Sequence, residues 1–464
     1  MIDLSKITDV YFVGIGGIGM SAIARYFLAI GSRVYGYDRS ESSLTDALSA
    51  EGCNIIYEDI TEELPAVFRE RPGKDNVIVI YTPAIPAGNK IISWFRENGF
   101  SLFKRSEILG KISEGKETLA VSGTHGKTTV STMLAHLLRQ SGIDCSAFLG
   151  GISKNYKSNL LIGKNSLTVM EADEFDRSFH RLNPSMAIVT SVDADHLDIY
   201  GDHQTMIEAY NEFFRKIRKG GVLILNQKIK DKIKVPEGVT GYTYGIEGDA
   251  DFKATDILRK GDSYTYNLIT PQSTINNMQF QFPGIINIEN AVAASAVALL
   301  CGASEKDLRS GLFNFTGVER RFDVRINRPG LTYIDDYAHH PEEIRACITS
   351  VREYFGGRKI TGIFQPHLFT RTLNHAEGFA QILDMLDEVI ILPIYPAREK
   401  PIEGVSSEII LEKMTIRNKR MLEKKDIPGM LDLRSIDVLL TIGAGDIDRL
   451  VDPIEEALNN RGKS

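Results

Sequence analysis

Twice in this chain a short β-rich run breaks into a glycine-rich loop and passes at once into helical periodicity. This junction constrains the fold more than any other feature, because strand, tight loop and helix in that order build parallel α/β units. The first case is Val10-Tyr11-Phe12-Val13, then Gly14-Ile15-Gly16-Gly17-Ile18-Gly19, then apolar residues at helical spacing from Met20 to Ile30. The second is Leu119-Ala120-Val121, then Ser122-Gly123-Thr124-His125-Gly126-Lys127-Thr128-Thr129. The helix that follows has Met133, Leu134, Leu137 and Leu138 as its buried stripe.

The first motif has the spacing of a dinucleotide fingerprint, with Asp38 lying 19 residues beyond Gly19 at the end of a second strand, 32–37. Glycines let the backbone approach a pyrophosphate, and the helix start adds amides and partial positive charge. Asp38 is positioned to accept hydrogen bonds from a ribose or base. The pattern specifies a diphosphate more strongly than it specifies NAD, since a UDP-sugar offers the same group. The bland alternative is a tight turn whose glycines merely allow close packing.

The second motif carries the parts a nucleoside triphosphate needs. Backbone amides surround the phosphates, Lys127 reaches the outer ones, and the Thr128 hydroxyl binds Mg²⁺. The usual P-loop would have glycine at position 121, where this chain has Val121, so the loop is a variant with its glycine at 123. Two acidic clusters, Glu171-Ala172-Asp173-Glu174 with Asp176 and Asp193-Ala194-Asp195-His196, follow apolar strands at 167–170 and 187–190. Alone, each reads as a solvated loop. Beside a triphosphate loop they are expected to supply metal-binding oxygens and a histidine. Two phosphate-binding loops imply two phosphate-bearing substrates, which suits a ligase better than a simple hydrolase.

Further strands are expected at 77–81, 222–225, 332–335, 359–364, 388–392 and 438–442. Residues 240–283, rich in Tyr, Thr, Asn and Gln with alternation such as Tyr264-Thr265-Tyr266-Asn267-Leu268, read as a β-rich insertion. Helix returns at 288–300. The 464 residues divide into three α/β domains in series, 1–105, 106–322 and 323–464. A net charge of -7 and no long basic run argue against a nucleic-acid partner. The longest apolar stretch, 291–301, is too short for membrane insertion. Cys53, Cys145, Cys301 and Cys347 form no CxxC pair, which fits a reduced, cytoplasmic protein.

The segments Gly123–Thr129, Glu171–Glu174 and Asp195-His196-Leu197-Asp198 resemble the ATPase domain of the Mur ligases. Four others are Gly14-Ile15-Gly16-Gly17-Ile18-Gly19-Met20-Ser21, Gly317-Val318-Glu319-Arg320-Arg321-Phe322, Asp335-Asp336-Tyr337-Ala338-His339-His340-Pro341 and Phe364-Gln365-Pro366-His367. These are similar to the members of that family that add L-alanine to UDP-N-acetylmuramate. The motifs run from residue 11 to about 446, essentially the whole chain. The resemblance implies a Rossmann-like UDP-sugar domain, a central P-loop ATPase domain and a Rossmann-like C-terminal domain that receives the amino acid and closes over ATP. It also implies the reaction: L-alanine is joined to the lactyl carboxylate through an acyl phosphate, with ADP and phosphate released. This would be an early step of peptidoglycan synthesis, and hence of cell-wall biogenesis, cell shape and cell division. A homodimer is left open.

Carried over position by position, the resemblance places Gly14, Gly16, Gly17, Ile18, Gly19 and Asp38 at the sugar nucleotide. Gly123, Thr124, His125, Gly126, Lys127, Thr128 and Thr129 fall at the ATP phosphates, and Asn287 and Asn290 near adenine. Arg321 reaches ATP and Asp336 its ribose. Glu171 and His196 hold a second Mg²⁺, while Thr128 holds the first. Tyr337, His339, His367 and Arg371 lie near the alanyl end of the product. Lys127, His196, His339 and Arg371 are the expected catalytic groups, and the amine proton could go to His339, His340 or His196. The chain departs from the family pattern at Ile286, often His; at Leu368, often Arg; and at Arg398 within Ala397-Arg398-Glu399, often Gly. It has no lysine between Ala209 and Arg215, where other Mur ligases carry a modified one.

Overall fold

The computed structural model describes residues 3–70, 76–86, 88–195, 197–261, 263–397, 399–430 and 435–460. Three sheets organise it. The first is fully parallel, in the order Asn54–Ile56, Arg33–Tyr37, Asp9–Val13, Val77–Tyr81, Leu102–Lys104. Asp9–Val13 is paired on both sides and buried at every position, which is why it reads as a continuous apolar run rather than an alternating one. Strand order reverses beside it, so the glycine loop at its carboxyl end opens where such sheets bind ligands.

The second sheet has ten strands. Its parallel centre is Val222–Asn226, Met186–Val189, Glu117–Ser122, Leu167–Glu171 and Ser146–Ser153, with Ser158–Leu161 antiparallel at one edge. At the other edge Thr240–Gly245, Phe252–Lys260, Ser263–Ile269 and Thr274–Phe280 continue the same sheet. The segment expected as an insertion is therefore an extension of the central sheet. Its alternating burial along Ser263–Ile269 arises because one face packs inward and the other meets solvent.

The third sheet runs Asp323–Arg328, Leu331–Asp336, Val438–Ile442, Ile360–Phe364, Glu388–Ile391, Lys419–Met421, with only the first pair antiparallel. Chain contacts divide the molecule into two compact units, residues 1–281 with 288–316, and residues 282–287 with 317–464. The first two sheets thus share one unit. A single apolar cluster contains Phe27 and Ile108 together with Phe148, Phe179 and Phe213. Arg25, on the helix Ile18–Ala29, fastens this unit: it pairs with Glu51 at 2.7 Å and donates to Asn159 Oδ1 at 2.5 Å. Asn159 in turn donates to Ile18 O and Ser21 Oγ at 2.7 and 2.9 Å, so the helix after the first glycine loop is tied to the edge of the second sheet. All four cysteines are free thiols. Among the described residues no helix is long and apolar enough to cross a membrane.

Candidate active site

The first glycine loop is shaped by its neighbours. Gly14 has φ +86° and hydrogen-bonds through its N–H to Tyr37 O at 2.8 Å. A Cβ on Gly16 would stand 2.9 Å from both Asp38 Oδ2 and Thr45 Cγ2. Asp38 accepts a hydrogen bond from Gly16 N at 2.8 Å, so in this state it braces the loop from within. The helix Ile18–Ala29 starts at Gly17 without a side-chain cap, leaving its first amides to meet an anion. One residue not anticipated from sequence also reaches this helix start. Arg105 lies against the position a Gly19 Cβ would occupy, and it pairs with Asp173 at 3.2 Å. Beside it Lys104 pairs with Asp176 at 2.8 Å. The two basic residues join the edge of the first sheet to the turn after Leu167–Glu171, within one compact unit.

The second loop joins Glu117–Ser122 to the helix Lys127–Gln140, with Gly123 at φ +125° and Gly126 at φ +83°. Ser191 holds it: Thr124 N donates to Ser191 O at 3.1 Å and His125 N to Ser191 Oγ at 2.9 Å. Thr190 Oγ1 donates to Ser122 O at 3.2 Å and also to His125 O. The helix has no side-chain cap, so its N-terminal amides and dipole face the loop. A Cβ at Gly126 would stand 3.1 Å from Asn290 Oδ1, so Asn290 lies directly over the loop.

Lys127 is folded back into this cradle. Its Nζ donates to Gly123 O at 2.6 Å, Thr124 O at 3.3 Å and both oxygens of Glu174 at 2.9 and 2.8 Å. Burial opposes its charge, but Glu174, Asp173 and Glu171 outweigh that effect and raise its pKa. Burial raises Glu174 to about 7 despite the attraction of Lys127.

Thr128 Oγ1 donates to Glu171 Oε1 at 3.2 Å, and Gly150 N donates to Glu171 Oε2 at 3.1 Å. A Cβ at Gly150 would run into the Glu171 carboxylate, so the adjacent glycines of Leu149-Gly150-Gly151 mark a close approach that sequence reading passed over. A hydroxyl and a carboxylate meeting at the mouth of a phosphate loop suit a small hard cation that keeps waters and phosphate oxygens as its other ligands. Among the described residues no group of three His, Cys, Asp or Glu forms a closed metal cage. His196, expected as a metal ligand and catalytic group, lies outside the described residues. Asp193 is 3.7 Å from His125 Nε2.

In the other unit, expected residues gather at the carboxyl ends of the third sheet. Arg320 and Arg321 stack on the Tyr337 ring at 5.2 and 4.7 Å. The rings of Tyr337 and His339 lie 5.3 Å apart, those of His339 and His367 5.9 Å, and those of His367 and Tyr395 5.7 Å. His339 Nδ1 is 3.3 Å from Glu343, which orients it. His340, by contrast, caps the helix Pro341–Phe355 in a reciprocal capping box, which is a structural task. Asp336, expected at a ribose, accepts hydrogen bonds from Phe322 N and Ala338 N, both at 2.7 Å. It thereby holds Phe322 at φ +48°. Burial raises its pKa to about 6, against the pull of Arg321 and the two amides. Arg371 stands half-buried in the first turn of Phe369–Leu383. Leu368 just before it is held at φ +69°, with its side chain buried. Asn287 donates to Pro283 O at 2.5 Å and closes its own turn.

With this geometry in view, comparison with known proteins is specific. Residues 9–117 match the model of the Mur ligase family, catalytic domain; residues 121–298 that of the Mur ligase middle domain; and residues 320–445 that of the Mur ligase, glutamate ligase domain. The UDP-N-acetylmuramate–L-alanine ligase of Parabacteroides distasonis is 49% identical over 457 residues, covering 98% of each chain. That of Phocaeicola vulgatus is 46% identical, covering 99% of this chain and all of its own. The crystal structure of UDP-N-acetylmuramate-alanine ligase from Thermotoga maritima superposes with a TM-score of 0.81 at 27% identity, covering 97% of this chain and 99% of that one. A murein peptide ligase from Psychrobacter arcticus shares the fold, with a TM-score of 0.73 at 21% identity over 98% of this chain and 99% of its own.

Proposed function

The chain belongs to the Mur ligase family, and from that premise we propose that it joins L-alanine to the lactyl carboxylate of UDP-N-acetylmuramate at the expense of ATP. One observation carries the reading. A diphosphate-type loop and a triphosphate-type loop stand in one compact unit, linked through Arg105 and the turn bearing Asp173 and Glu174, in a chain that matches L-alanine ligases along its whole length. A carboxylate is a poor electrophile, so it must first be activated. In the proposed reaction a lactyl oxygen attacks the γ-phosphorus and ADP leaves, giving an acyl phosphate. The neutral amine of L-alanine attacks the acyl carbon, gives up a proton, and phosphate departs with the lactyl oxygen.

The protein's part is positioning and charge neutralisation. The Gly123–Thr129 loop binds the ATP phosphates, and Lys127 offsets the charge of the transferring group. Thr128 and Glu171 would hold Mg²⁺, which supplies further neutralisation of phosphate charge. Gly14, Gly16, Gly17, Ile18 and Gly19 receive the diphosphate of the sugar nucleotide, with Asp38 maintaining the loop. Asn287 and Asn290 serve the adenine and Arg321 the ATP phosphates. Tyr337, His367 and Arg371 serve the amino acid, whose carboxylate Arg371 grips. His339, oriented by Glu343, is the better placed of the two adjacent histidines to take the amine proton, because His340 is committed to a helix cap. We assign three domains, 1–105, 106–322 and 323–464, to the sugar nucleotide, ATP and the amino acid. The free cysteines suit a reducing compartment, so we place the reaction in the cytoplasm.

The test is phosphate release from ATP with Mg²⁺ and UDP-N-acetylmuramate, adding L-alanine, glycine, L-serine or a tripeptide in turn. Release that requires both the sugar nucleotide and L-alanine is expected. Release that prefers the tripeptide would move the chain to the peptide-adding branch of the family.

A further inference from the structure

We propose that Asn159 is a positioning residue for phosphoryl transfer, holding the first glycine loop and the ATP-side carboxylate Glu171 at one fixed spacing. The inference rests on the reaction proposed above, in which a lactyl oxygen of the molecule held by the first loop must meet the γ-phosphorus held by the second.

Asn159 sits on Ser158–Leu161, the edge strand of the second sheet, and is fully buried. Its amide is engaged in both directions. Oδ1 accepts from Arg25 Nη1 at 2.5 Å, while Nδ2 donates to Ile18 O at 2.7 Å and to Ser21 Oγ at 2.9 Å. Arginine has no acceptor, so the amide can face it only through oxygen, and this turns the nitrogen toward the helix. Arg25 is itself fixed, because its Nε and Nη2 both donate to the Glu51 carboxylate. Ile18 is the first residue of the helix Ile18–Ala29, so the grip falls on the turn that directly follows the glycine loop. That loop is braced from within, by Asp38 accepting from Gly16 N and by Tyr37 O accepting from Gly14 N. Loop and helix start therefore move as one piece, and Asn159 sets where that piece stands.

The other end of the linkage reaches the carboxylate proposed to hold Mg²⁺. Ser158–Leu161 pairs antiparallel with Ser146–Ser153, with Leu160 opposite Phe148, and the Tyr26 ring of the helix leans on Phe148 at 5.7 Å. Two residues further along, Gly150 N donates to Glu171 Oε2 at 3.1 Å, and Glu171 accepts from Thr128 of the ATP loop. One hairpin thus holds the helix start of the first site and the carboxylate of the second. In-line transfer tolerates little error, since a misplacement of about 1 Å costs on the order of 100-fold.

The test uses the full-length protein. Phosphate and alanyl product are followed together, and Kd values for MgATP and for UDP-N-acetylmuramate are measured separately by calorimetry. Asn159→Asp keeps the shape and the acceptor for Arg25, but it sets an anion with no hydrogen to donate against Ile18 O. Its kcat should fall about 100-fold, while both Kd values stay within about twofold of wild type. Glu51→Ala is the structural control. It releases Arg25 on its half-exposed side and leaves the amide on Ile18, so the melting temperature should drop while kcat stays within about twofold of wild type. Ser21→Ala removes one of the three bonds of the amide and should lower kcat about fivefold; it decides the matter where Asn159→Asp does not fold. Normal kcat in Asn159→Asp, a kcat loss matched by weaker binding of either substrate, an equal kcat loss in Glu51→Ala, or wild-type kcat in Ser21→Ala would each overturn the inference and leave the proposed reaction standing. Wild-type protein that releases no phosphate with UDP-N-acetylmuramate and L-alanine would overturn the proposed reaction, and the inference with it.

Discussion

Replacing Gly123 with alanine should weaken MgATP binding about 100-fold while costing only part of the fold. At this residue φ is +125°, a conformation L side chains rarely adopt. The new Cβ would stand 2.8 Å from Ser191 N and 2.9 Å from Thr190 N, and closer still to Thr190 Oγ1. None of these can retreat cheaply. Two are backbone atoms, and the Thr190 hydroxyl is engaged with Ser122 O and His125 O. Backbone strain of about 1–3 kcal/mol and overpacking of about 1–3 kcal/mol together give roughly 2–6 kcal/mol. In a unit of this size that lowers the melting temperature by on the order of 5–15 °C. The loop must shift to admit the methyl, and a displacement near 1 Å costs about 100-fold where phosphate geometry matters. Gly19→Ala provides the control. Its Cβ meets only the Arg105 side chain, which can swing aside, so it should melt close to wild type and keep its MgATP affinity. Thermal unfolding with and without MgATP, together with equilibrium binding, reads both effects. MgATP affinity within about twofold of wild type in Gly123→Ala would refute the claim that this loop geometry makes the site.

Three further expectations follow from the same geometry. Lys127→Ala should remove ATP-dependent ligation but leave a folded protein by circular dichroism, because Glu174, already raised to about 7, can take a proton when its partner is gone; near-normal turnover would contradict the role given to the lysine. Asp38→Ala frees the Gly16 amide it now binds and should raise the KM for the sugar nucleotide more than that for ATP; equal effects would remove Asp38 from the first site. Asp336 ionises less readily in the folded chain, near 6 against an ordinary value of 3.8, so its contribution to stability is complete below about pH 4 and is lost as pH rises through about 6. The stability gap between wild type and Asp336→Asn in urea titrations should therefore be widest near pH 4 and narrow toward pH 7, and a constant gap would show that Asp336 is not perturbed by burial.

Much of the fold was legible because it is written locally. The strands Val77–Tyr81 and Val438–Ile442 lie at the bounds expected from their apolar runs, and both glycine loops sit where a strand hands over to a helix. Edge elements were less legible. Asn54–Ile56 is short and only partly buried, so its composition carries little signal. The antiparallel pair Ser146–Ser153 and Ser158–Leu161 hides behind glycines and serines that pack against Glu171 and the first helix. The strands between 240 and 283 were recognised as β structure, but not as part of the central sheet, because pairing partners far away in sequence leave no local mark.

At the site, sequence singles out residue types that name a chemistry and passes over those marked only by position. Arg105 belongs to no motif and gains meaning only from what lies across from it, Gly19 and Asp173. The structure also gives residues of these motifs tasks beyond ligand binding. His340 is a helix cap, and Asp336 and Asp38 brace loops, although each looks like a ligand-binding group in sequence.

The central claim is that the lactyl carboxylate is activated by direct phosphoryl transfer within this chain. It is tested most directly by running the reaction with UDP-N-acetylmuramate labelled with ¹⁸O in that carboxylate, with L-alanine, MgATP and unlabelled water. The account predicts one ¹⁸O in each inorganic phosphate released, seen by mass, in step with alanyl product. Unlabelled phosphate formed alongside that product would contradict it.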